Sequence, residues 1–266
     1  MTSRLTVRIL GCGSSAGVPR IGGDWGDCDP GDPRNRRSRC SILLERTTAA
    51  GATRALVDTS PDLRSQLLAA GTGLLDGVAF THPHADHIHG IDDLRTVVQN
   101  RRARLPVWAD ADTAELLLSR FAYVFVQPAG SLYPPILELR PIDGPFEIDG
   151  AGGPIPFRPI RVQHGRIDAL GFRINDFAYI PDVSEIPPAA WAELTGLDTF
   201  MLDALRRKPH PTHAHLAQSL EWLARAAPRL GVLTNMHNDL DHATLLAELP
   251  PGVIPAHDGL ELEIPA

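Results

Sequence analysis

The sequence THPHADHIHG occupies residues 81–90 and directly follows the apolar run GVAF. His82 and His84 are separated by one residue, so an extended backbone places both side chains on one side of the chain. Asp86 and His87 follow as the chain enters IHGIDDLRTVVQ, whose apolar residues have helical spacing. One strand end and one turn therefore bring three imidazoles and a carboxylate together. Uncoordinated histidines this crowded would repel one another on protonation, whereas a divalent cation makes the packing favourable, so the segment predicts a metal site.

Three further candidate ligands lie at the ends of predicted strands. His164 follows the run PFRPIRV, Asp182 follows FAYI, and His237 follows LGVLT. Each is placed at the C-terminal end of its strand, which is where ligands collect in open α/β sheets. Singly, each is more often an ordinary polar residue, but together with the histidine segment they predict that the metal site extends across several strands.

The rest of the chain reads as short strands with helices between them. Apolar runs of four to seven residues bounded by Gly and Pro recur along the sequence. Helical spacing appears over 61–70, 112–125, 213–227 and 242–249, with Thr212 as a candidate N-cap for the third of these. This pattern predicts an α/β domain with sheet packed on sheet and helices outside. No segment resembles a linker, so we expect a single domain over residues 1–266.

Composition excludes several classes of function. The 266 residues are 43% hydrophobic and 21% charged, which is typical of a globular protein. A formal net charge of −7 argues against a stable nucleic-acid partner, since neutralising phosphates requires a basic surplus. The absence of a long apolar run argues against a membrane span, and the N-terminal residues do not resemble a secretory signal. Cys12, Cys28 and Cys40 contain no CxxC pair, which favours a cytoplasmic location.

The motif His82-x-His84-x-Asp86-His87, followed by a His, an Asp after a strand and a further His, resembles the signature of the metallo-β-lactamase fold superfamily. The segments GCGSSAGVP, DPRNRRSRCS, LVDTSPDLR and HPTHAHL are similar to its phosphodiesterase branch, which includes the 5-phosphoribosyl 1,2-cyclic phosphate phosphodiesterases. This resemblance covers almost the whole chain and implies a four-layer αββα sandwich.

The resemblance also implies two divalent metal ions, and the ligand types favour zinc or manganese. It assigns one ion to His82, His84 and His164, the other to Asp86, His87 and His237, and makes Asp182 the bridge and a catalytic residue. The chain departs from the family in two places. The family member it resembles holds a structural zinc with three cysteines and a late histidine, whereas this chain has only Cys28 in that region and Asn238 at the histidine position, so we expect no structural zinc. Relatives often have Thr-His where this chain has Thr234-Asn235, and His237 is assigned as the ligand because it lies two residues on.

In the same branch, the histidine that matches His213 resembles a proton donor near the substrate. The predicted helix places His213 in its first turn, where free N–H groups favour a phosphate. His213 could instead cap the helix, and His210 or His215 could take its role.

These features predict a dinuclear metal hydrolase that opens a small cyclic phosphate, either a ribose cyclic phosphate or a cyclic nucleotide, by attack of a bridging hydroxide. Two ions about 3.5–4 Å apart provide such a nucleophile and stabilise the added charge. The alternatives are a thioester or other hydrolase of the same fold, tRNA 3′ processing, and a non-catalytic metal or nucleotide binder.

Substrate-binding residues are not assigned, and Arg34, Arg36, Arg37 and Arg39 could contact phosphate or pair with nearby Asp residues. The family makes a homodimer plausible.

Overall fold

The computed structural model describes residues 3–265 and contains two seven-stranded sheets. The first sheet, in the order β14-β1-β2-β3-β4-β5-β6, consists of β1 (Arg4–Gly11), β2 (Ser41–Thr48), β3 (Gly51–Val57), β4 (Gly77–Ala79), β5 (Leu105–Ala109), β6 (Leu137–Pro141) and β14 (Glu261–Ile264). Strands β3 to β6 pair in parallel, whereas β14, β1, β2 and β3 pair antiparallel.

The second sheet has the order β13-β12-β11-β10-β9-β8-β7. It consists of β7 (Phe146–Ile148), β8 (Ile155–His164), β9 (Ile167–Ile174), β10 (Phe177–Ile180), β11 (Thr199–Asp203), β12 (Leu230–Thr234) and β13 (Val253–Pro255). Strands β10 to β13 are parallel, and β7 to β10 pair antiparallel. Strands β8, β10, β11 and β12 therefore run in the same direction, and their C-terminal ends lie at the same end of this sheet.

The alternation of apolar side chains explains the layering. In β2, Ile42 and Leu44 are buried in one core with Phe172 and Phe200 of the second sheet, so this core lies between the sheets. Leu43, between them in sequence, points to a second core that the helices cover. Side chains of a strand alternate between its two faces, so the same strand contributes to both cores. The predicted layered fold of two sheets flanked by helices is confirmed.

Six α-helices connect the strands: α1 (Leu63–Ala69), α2 (Ala85–Ile88), α3 (Leu94–Arg101), α4 (Ala111–Phe125), α5 (Leu216–Ala226) and α6 (His242–Glu248). Helices α1, α3 and α4 contribute side chains to the core on the outer face of the first sheet, whereas α5 and α6 contact β11 and β13 of the second. Within residues 3–265, no helix has both the length and the apolar composition that a membrane crossing requires.

One predicted helix begins later than the spacing suggested. Helix α5 starts at Leu216, with His215 as its N-cap in place of Thr212. The preceding segment is not helical, and its ends are held by hydrogen bonds from Leu205 N–H to Ala214 C=O and from Leu216 N–H to Arg206 C=O, both at 2.9 Å. The prediction that His213 lies in the first helical turn is therefore wrong, and its argument from the helix N-terminus does not apply.

Candidate active site

The residues of the histidine segment meet those of the second sheet at the C-terminal ends of the strands. His82 and His84 follow β4, and Asp86 and His87 lie on the short helix α2. His164 ends β8, and Asp182 comes two residues after β10. The side chains from the two sheets face one another, so both sheets contribute to one site.

Three imidazoles form the first group of this site, which we call the first position. His84 Nδ1 lies 3.1 Å from His82 Nε2 and 3.1 Å from His164 Nε2. Tetrahedral coordination with metal–nitrogen bonds of about 2.1 Å separates its nitrogens by roughly 3.4 Å, so this spacing is close to that of a metal site. His164 Nδ1 lies 2.6 Å from the C=O of Thr212, a partner that leaves the Nε2 lone pair free.

The protonation of these three imidazoles also suits a metal. Burial lowers the pKa of His82 well below its ordinary value, and the charge of His87 adds to that effect. Burial likewise lowers the pKa of His84 and of His164. All three side chains are therefore neutral at physiological pH, which is the form that binds a divalent ion.

The second group, which we call the second position, contains one imidazole and two carboxylates. His87 Nε2 lies 2.9 Å from Asp182 Oδ2 and 3.7 Å from Asp86 Oδ2. His87 Nε2 and Asp182 Oδ2 are buried, and neither has a hydrogen-bond partner of acceptable geometry. Buried polar atoms without partners are rare, so these two fit a bound ion.

The pKa shifts at the second position also favour a cation there. Although burial opposes it, the charges of Asp182 and Asp58 raise the pKa of His87 well above its ordinary value. Burial opposes ionisation of Asp182 as well, yet His87 and His82 hold the pKa of this carboxyl well below its usual range. The surroundings thus favour positive charge beside Asp182, whether a proton or a metal ion supplies it.

Asp58 is a site residue that motif spacing alone does not identify. It follows β3, is fully buried and accepts hydrogen bonds from Thr81 N–H at 2.8 Å and Thr81 Oγ1 at 2.7 Å. His87 Nδ1 lies 2.7 Å from Asp58 Oδ2, and this contact directs His87 Nε2 towards Asp182. A carboxylate behind a ligand imidazole fixes its orientation and increases its basicity. The sequence signals were that Asp58 ends the predicted strand RALVD and lies in the segment LVDTSPDLR.

His213 lies beside the metal-binding groups and contacts a second residue that the sequence reasoning missed. Its Nδ1 is 3.0 Å from Asp203 Oδ2 and 3.2 Å from Asp182 Oδ1. Its ring centroid lies 4.5 Å from that of His164. Burial opposes protonation, but the hydrogen bond and charge of Asp203, followed by the charge of Asp182, raise the pKa of His213 to about 9. His213 is thus an imidazolium oriented by a buried carboxylate.

The structure does not place His237 among these groups, so its assignment as a metal ligand stays a prediction. Its ring nitrogens contact the guanidinium of Arg20, and Nδ1 lies 3.7 Å from Asp239. Asn235, only 1% exposed, occupies the strand end instead. Its Nδ2 lies 3.1 Å from Asp182 Oδ1. Asn235 has a left-handed backbone (φ 58°), so side chains do not alternate regularly there. Residues 235 and 237 therefore do not point to the same side of the chain.

The other sequence candidates lie around this site. His210 is near it, with its ring centroid 5.2 Å from that of His213, whereas His215 precedes α5. In the arginine segment, Arg39 pairs with Asp62 at 2.9 Å, and Arg34 pairs with Asp32 at 2.7 Å.

Arg37 is buried and is therefore not free for a substrate. It donates to the C=O of Leu240 at 2.7 Å and of His237 at 3.2 Å. These bonds fasten the long loop before β2 to the segment after β12. In the same region, Cys28 Sγ lies 3.9 Å from the Arg37 guanidinium.

Comparison with known proteins identifies the family. The beta-lactamase superfamily domain matches residues 53–237, which contain both metal-binding groups and His213. The chain belongs to this superfamily. Its two sheets flanked by helices are the superfamily's α/β sandwich, and the predicted resemblance to the phosphodiesterase branch of the metallo-β-lactamases is confirmed.

Individual proteins of known structure or curated sequence are also similar to this chain. A crystal structure described as a new diphosphatase from the PhnP family is 37% identical, with a TM-score of 0.87, and the match covers 99% of this chain and 98% of that one. The Octanoyltransferase of Porphyromonas gingivalis is 35% identical over 95% of this chain and 50% of its own length. The Ribonuclease Z of a Bradyrhizobium strain is 31% identical over 53% of this chain and 45% of its own length. The chain thus spans about half the length of these curated relatives.

Proposed function

We propose that this protein is a divalent-metal-dependent phosphodiesterase that opens a small cyclic phosphate, such as a ribose cyclic phosphate or a cyclic nucleotide. The observation that carries the proposal is the position of the His213 imidazolium beside Asp182 and His164. This arrangement places a proton donor next to a group of side chains that fits metal ions. The 37% identity to a diphosphatase of the PhnP family supports phosphorus as the reacting centre.

The site supplies the parts that phosphate ester hydrolysis requires. Divalent ions held by the two positions would polarise a phosphoryl oxygen and lower the pKa of a bound water molecule. A carboxylate oxygen of Asp182 lies within 4.8 Å of ligand nitrogens of His82 and His87, and one lies within the same distance of His164, so Asp182 is suited to bridge the two positions. Asp203 keeps the His213 imidazole oriented through Nδ1, which leaves its Nε2–H to protonate the leaving alkoxide.

The net charge of −7 is compatible with an anionic substrate. Asp86 and Asp182 are the two carboxylates of the metal-binding groups, and two divalent ions beside them leave about two positive charges locally. At short range this local field outweighs the more distant acidic side chains, because surface charges are screened by salt over about 10 Å.

The test is turnover by purified protein supplied with Mn²⁺ or Zn²⁺. We expect cleavage of bis(p-nitrophenyl) phosphate, of 2′,3′-cyclic nucleotides or of the ribose cyclic phosphate, and its loss in Asp182→Ala. Activity on S-lactoylglutathione or a chromogenic cephalosporin without phosphodiesterase activity would instead indicate a thioester or lactam hydrolase. Cleavage of a tRNA precursor alone would favour the activity named for the Ribonuclease Z relative.

The name Octanoyltransferase belongs to a protein of which this chain matches 50%. The matched part contains the His and Asp side chains described above, whose chemistry is that of metal-assisted hydrolysis. We therefore do not extend octanoyl transfer to this chain. Metal binding without turnover on any of these substrates would contradict the proposal and indicate a binding protein.

A further inference from the structure

Two buried carboxylates lie within hydrogen-bond distance of the same nitrogen of His213. Its Nδ1 is 3.0 Å from Asp203 Oδ2 and 3.2 Å from Asp182 Oδ1. Nδ1 has only one hydrogen, and both carboxylates are buried, so bulk water does not solvate them. A further donor is therefore needed between the two carboxylates, because a buried charged group without hydrogen bonds is costly.

The side-chain amide of Asn235 is that donor. Its Nδ2 lies 3.1 Å from Asp182 Oδ1 and 3.1 Å from Asp203 Oδ1. Carboxylate oxygens only accept hydrogen bonds, so the end of the amide that faces them is the NH₂ group, whose two hydrogens suffice for the two carboxylates. The amide oxygen faces the thiol of Cys40, with Sγ 4.0 Å away. The neighbours of Asn235 therefore fix the orientation of its amide.

Strand pairing and backbone conformation place Asn235 between the two carboxylates. Thr234, which ends β12, pairs with Asp203, which ends β11, so the residue after Thr234 lies next to Asp203. Asn235 itself has a left-handed backbone (φ 58°), a conformation that asparagine adopts more readily than most residues with a Cβ. The side chain is buried, so its contacts are not exchanged for contacts with bulk water.

With Asn235 in place, Asp203 is held through both of its oxygens. Asn235 donates to Oδ1, whereas Oδ2 accepts from Val183 N–H at 3.1 Å and from His213 Nδ1–H at 3.0 Å. Asn235 also donates to Asp182 Oδ1, the second acceptor that lies near His213 Nδ1. The Nδ1–H of His213 is therefore directed to Asp203, and this contact sets the direction of Nε2.

We propose that Asn235 is a positioning residue that links Asp182 to the pair formed by Asp203 and His213. Its two hydrogen bonds fix the separation of the two carboxylates and keep the Nδ1–H of His213 on Asp203. The direction in which His213 presents its Nε2–H thus depends on Asn235. The effect on catalysis rests on the proposed function, whereas the hydrogen-bond arrangement does not, so the two are measured separately.

The test uses two substitutions that suit the left-handed backbone, Asn235→Gly and Asn235→Asp. Glycine and aspartate both accept a positive φ, so neither change strains the chain. Glycine removes the amide, and an ionised aspartate keeps its shape but has no hydrogen to donate. Asn175, in the turn between β9 and β10, also has a left-handed backbone (φ 50°) but is exposed. Asn175→Gly and Asn175→Asp are therefore matched controls, and circular dichroism verifies each fold.

The first measurement follows the Nδ1–H of His213 directly. Nuclear magnetic resonance of Zn²⁺-loaded protein with ¹⁵N-labelled histidine gives the exchange rate of this proton with water, and His213→Gln identifies its signal. We expect exchange at least about tenfold faster in both Asn235 variants, because the carboxylate that accepts this proton is no longer fixed. The Asn175 variants should keep the wild-type rate.

The second measurement is steady-state kinetics with bound metal determined by mass spectrometry. On a 2′,3′-cyclic nucleotide, both Asn235 variants should lower kcat by about tenfold or more with KM within about twofold, because proton donation is affected and substrate binding is not. Bis(p-nitrophenyl) phosphate releases a phenolate that needs no proton, so its kcat should fall by less than about threefold. Metal content should equal that of the wild type, because the Asn235 NH₂ group is a donor and not a ligand.

Unchanged exchange of the His213 Nδ1–H in both Asn235 variants would overturn the inference, whatever the activity. Equal losses of kcat on both substrates together with loss of metal would also overturn it, since Asn235 would then act by supporting Asp182 as a ligand. If the wild type cleaves none of these phosphodiesters while exchange is faster in the variants, the proposed function is wrong and the hydrogen-bond arrangement is still supported.

Discussion

Replacing Asp203 by Asn tests the central part of the proposed chemistry, the orientation and charge of the proton donor. Asp203 Oδ2 lies 3.0 Å from His213 Nδ1, and its hydrogen bond and charge are the largest of the effects that raise the pKa of His213 to about 9. Asparagine has nearly the same shape but no charge. The substitution therefore removes the electrostatic effect and keeps the packing of this buried position.

The expected magnitude follows from that pKa. A shift from the ordinary 6.5 to about 9 corresponds to roughly 3 kcal/mol at 1.36 kcal/mol per pKa unit. The His213 side chain is 16% exposed, so solvent screens this interaction little. If the Asp203 charge provides half or more of it, Asp203→Asn brings the pKa of His213 to roughly 7–8.

The direction of the pH effect on activity depends on which protonation state of His213 is active. His213 donates a proton, so activity is present below its pKa and is lost as the pH rises through it. Asp203→Asn should therefore move the alkaline limb of the kcat profile to lower pH, with roughly 2–10-fold lower kcat at pH 8. Burial raises the pKa of Asp203 itself to about 6, so the wild type should also lose activity as the pH falls through 6.

The assay compares two substrates over pH 5 to 10. A 2′,3′-cyclic nucleotide releases a sugar alkoxide that needs a proton, whereas bis(p-nitrophenyl) phosphate releases a stable phenolate. Asp203→Asn should slow the first much more than the second, and His210→Asn, the matched control at the neighbouring imidazole, should leave the alkaline limb in place. Equal losses on both substrates, or an unmoved alkaline limb in Asp203→Asn, would refute the role assigned to this pair.

Three further substitutions probe the parts that support the site. Asp58→Asn should weaken metal affinity by about 10–100-fold in chelator competition, because the imidazole it orients loses its carboxylate partner, and an unchanged affinity would contradict this. Arg37→Met leaves buried carbonyls without donors and should lower the free energy of unfolding in urea by about 2–4 kcal/mol, whereas a stable variant would show that water replaces the guanidinium. Gly90→Ala places a Cβ 2.0 Å from Ser60 O and should lower the melting temperature sharply, while Gly144→Ala, whose Cβ would meet nothing within 4 Å, should not.

Much of the fold could be predicted because most strands have strong local signals. Among the predicted strands, the run LPVWA coincides with β5, and the run CSILLE falls on the beginning of β2. Strands β6, β13 and β14 were not predicted from periodicity. They have three to five residues, and several of their side chains remain exposed, so their pairing depends on partners that are distant in sequence.

The site was predictable where its residues are close in sequence. Spacing in the segment 81–90 suffices to place four side chains near one another, and the structure brings them together with His164 and Asp182. Sequence spacing could not identify Asp58 and Asp203, because an Asp at the end of a strand is common. Each of the two gains a role only through its tertiary contact with an imidazole. The sequence also could not show that Asn235, which has a left-handed backbone, contacts Asp182 at the end of β12.

The buried carboxylates link the two halves of the proposed chemistry. Asp58 lies 2.7 Å from His87, His87 lies 2.9 Å from Asp182, and Asp182 lies 3.2 Å from His213, whose other carboxylate neighbour is Asp203. These residues alternate in charge from the end of β3 in one sheet to the end of β11 in the other. Buried charges are stable only when they are compensated, so each member depends on its neighbours. In the proposed mechanism we therefore expect metal binding and proton donation to be coupled through Asp182, so that a substitution at either end changes both.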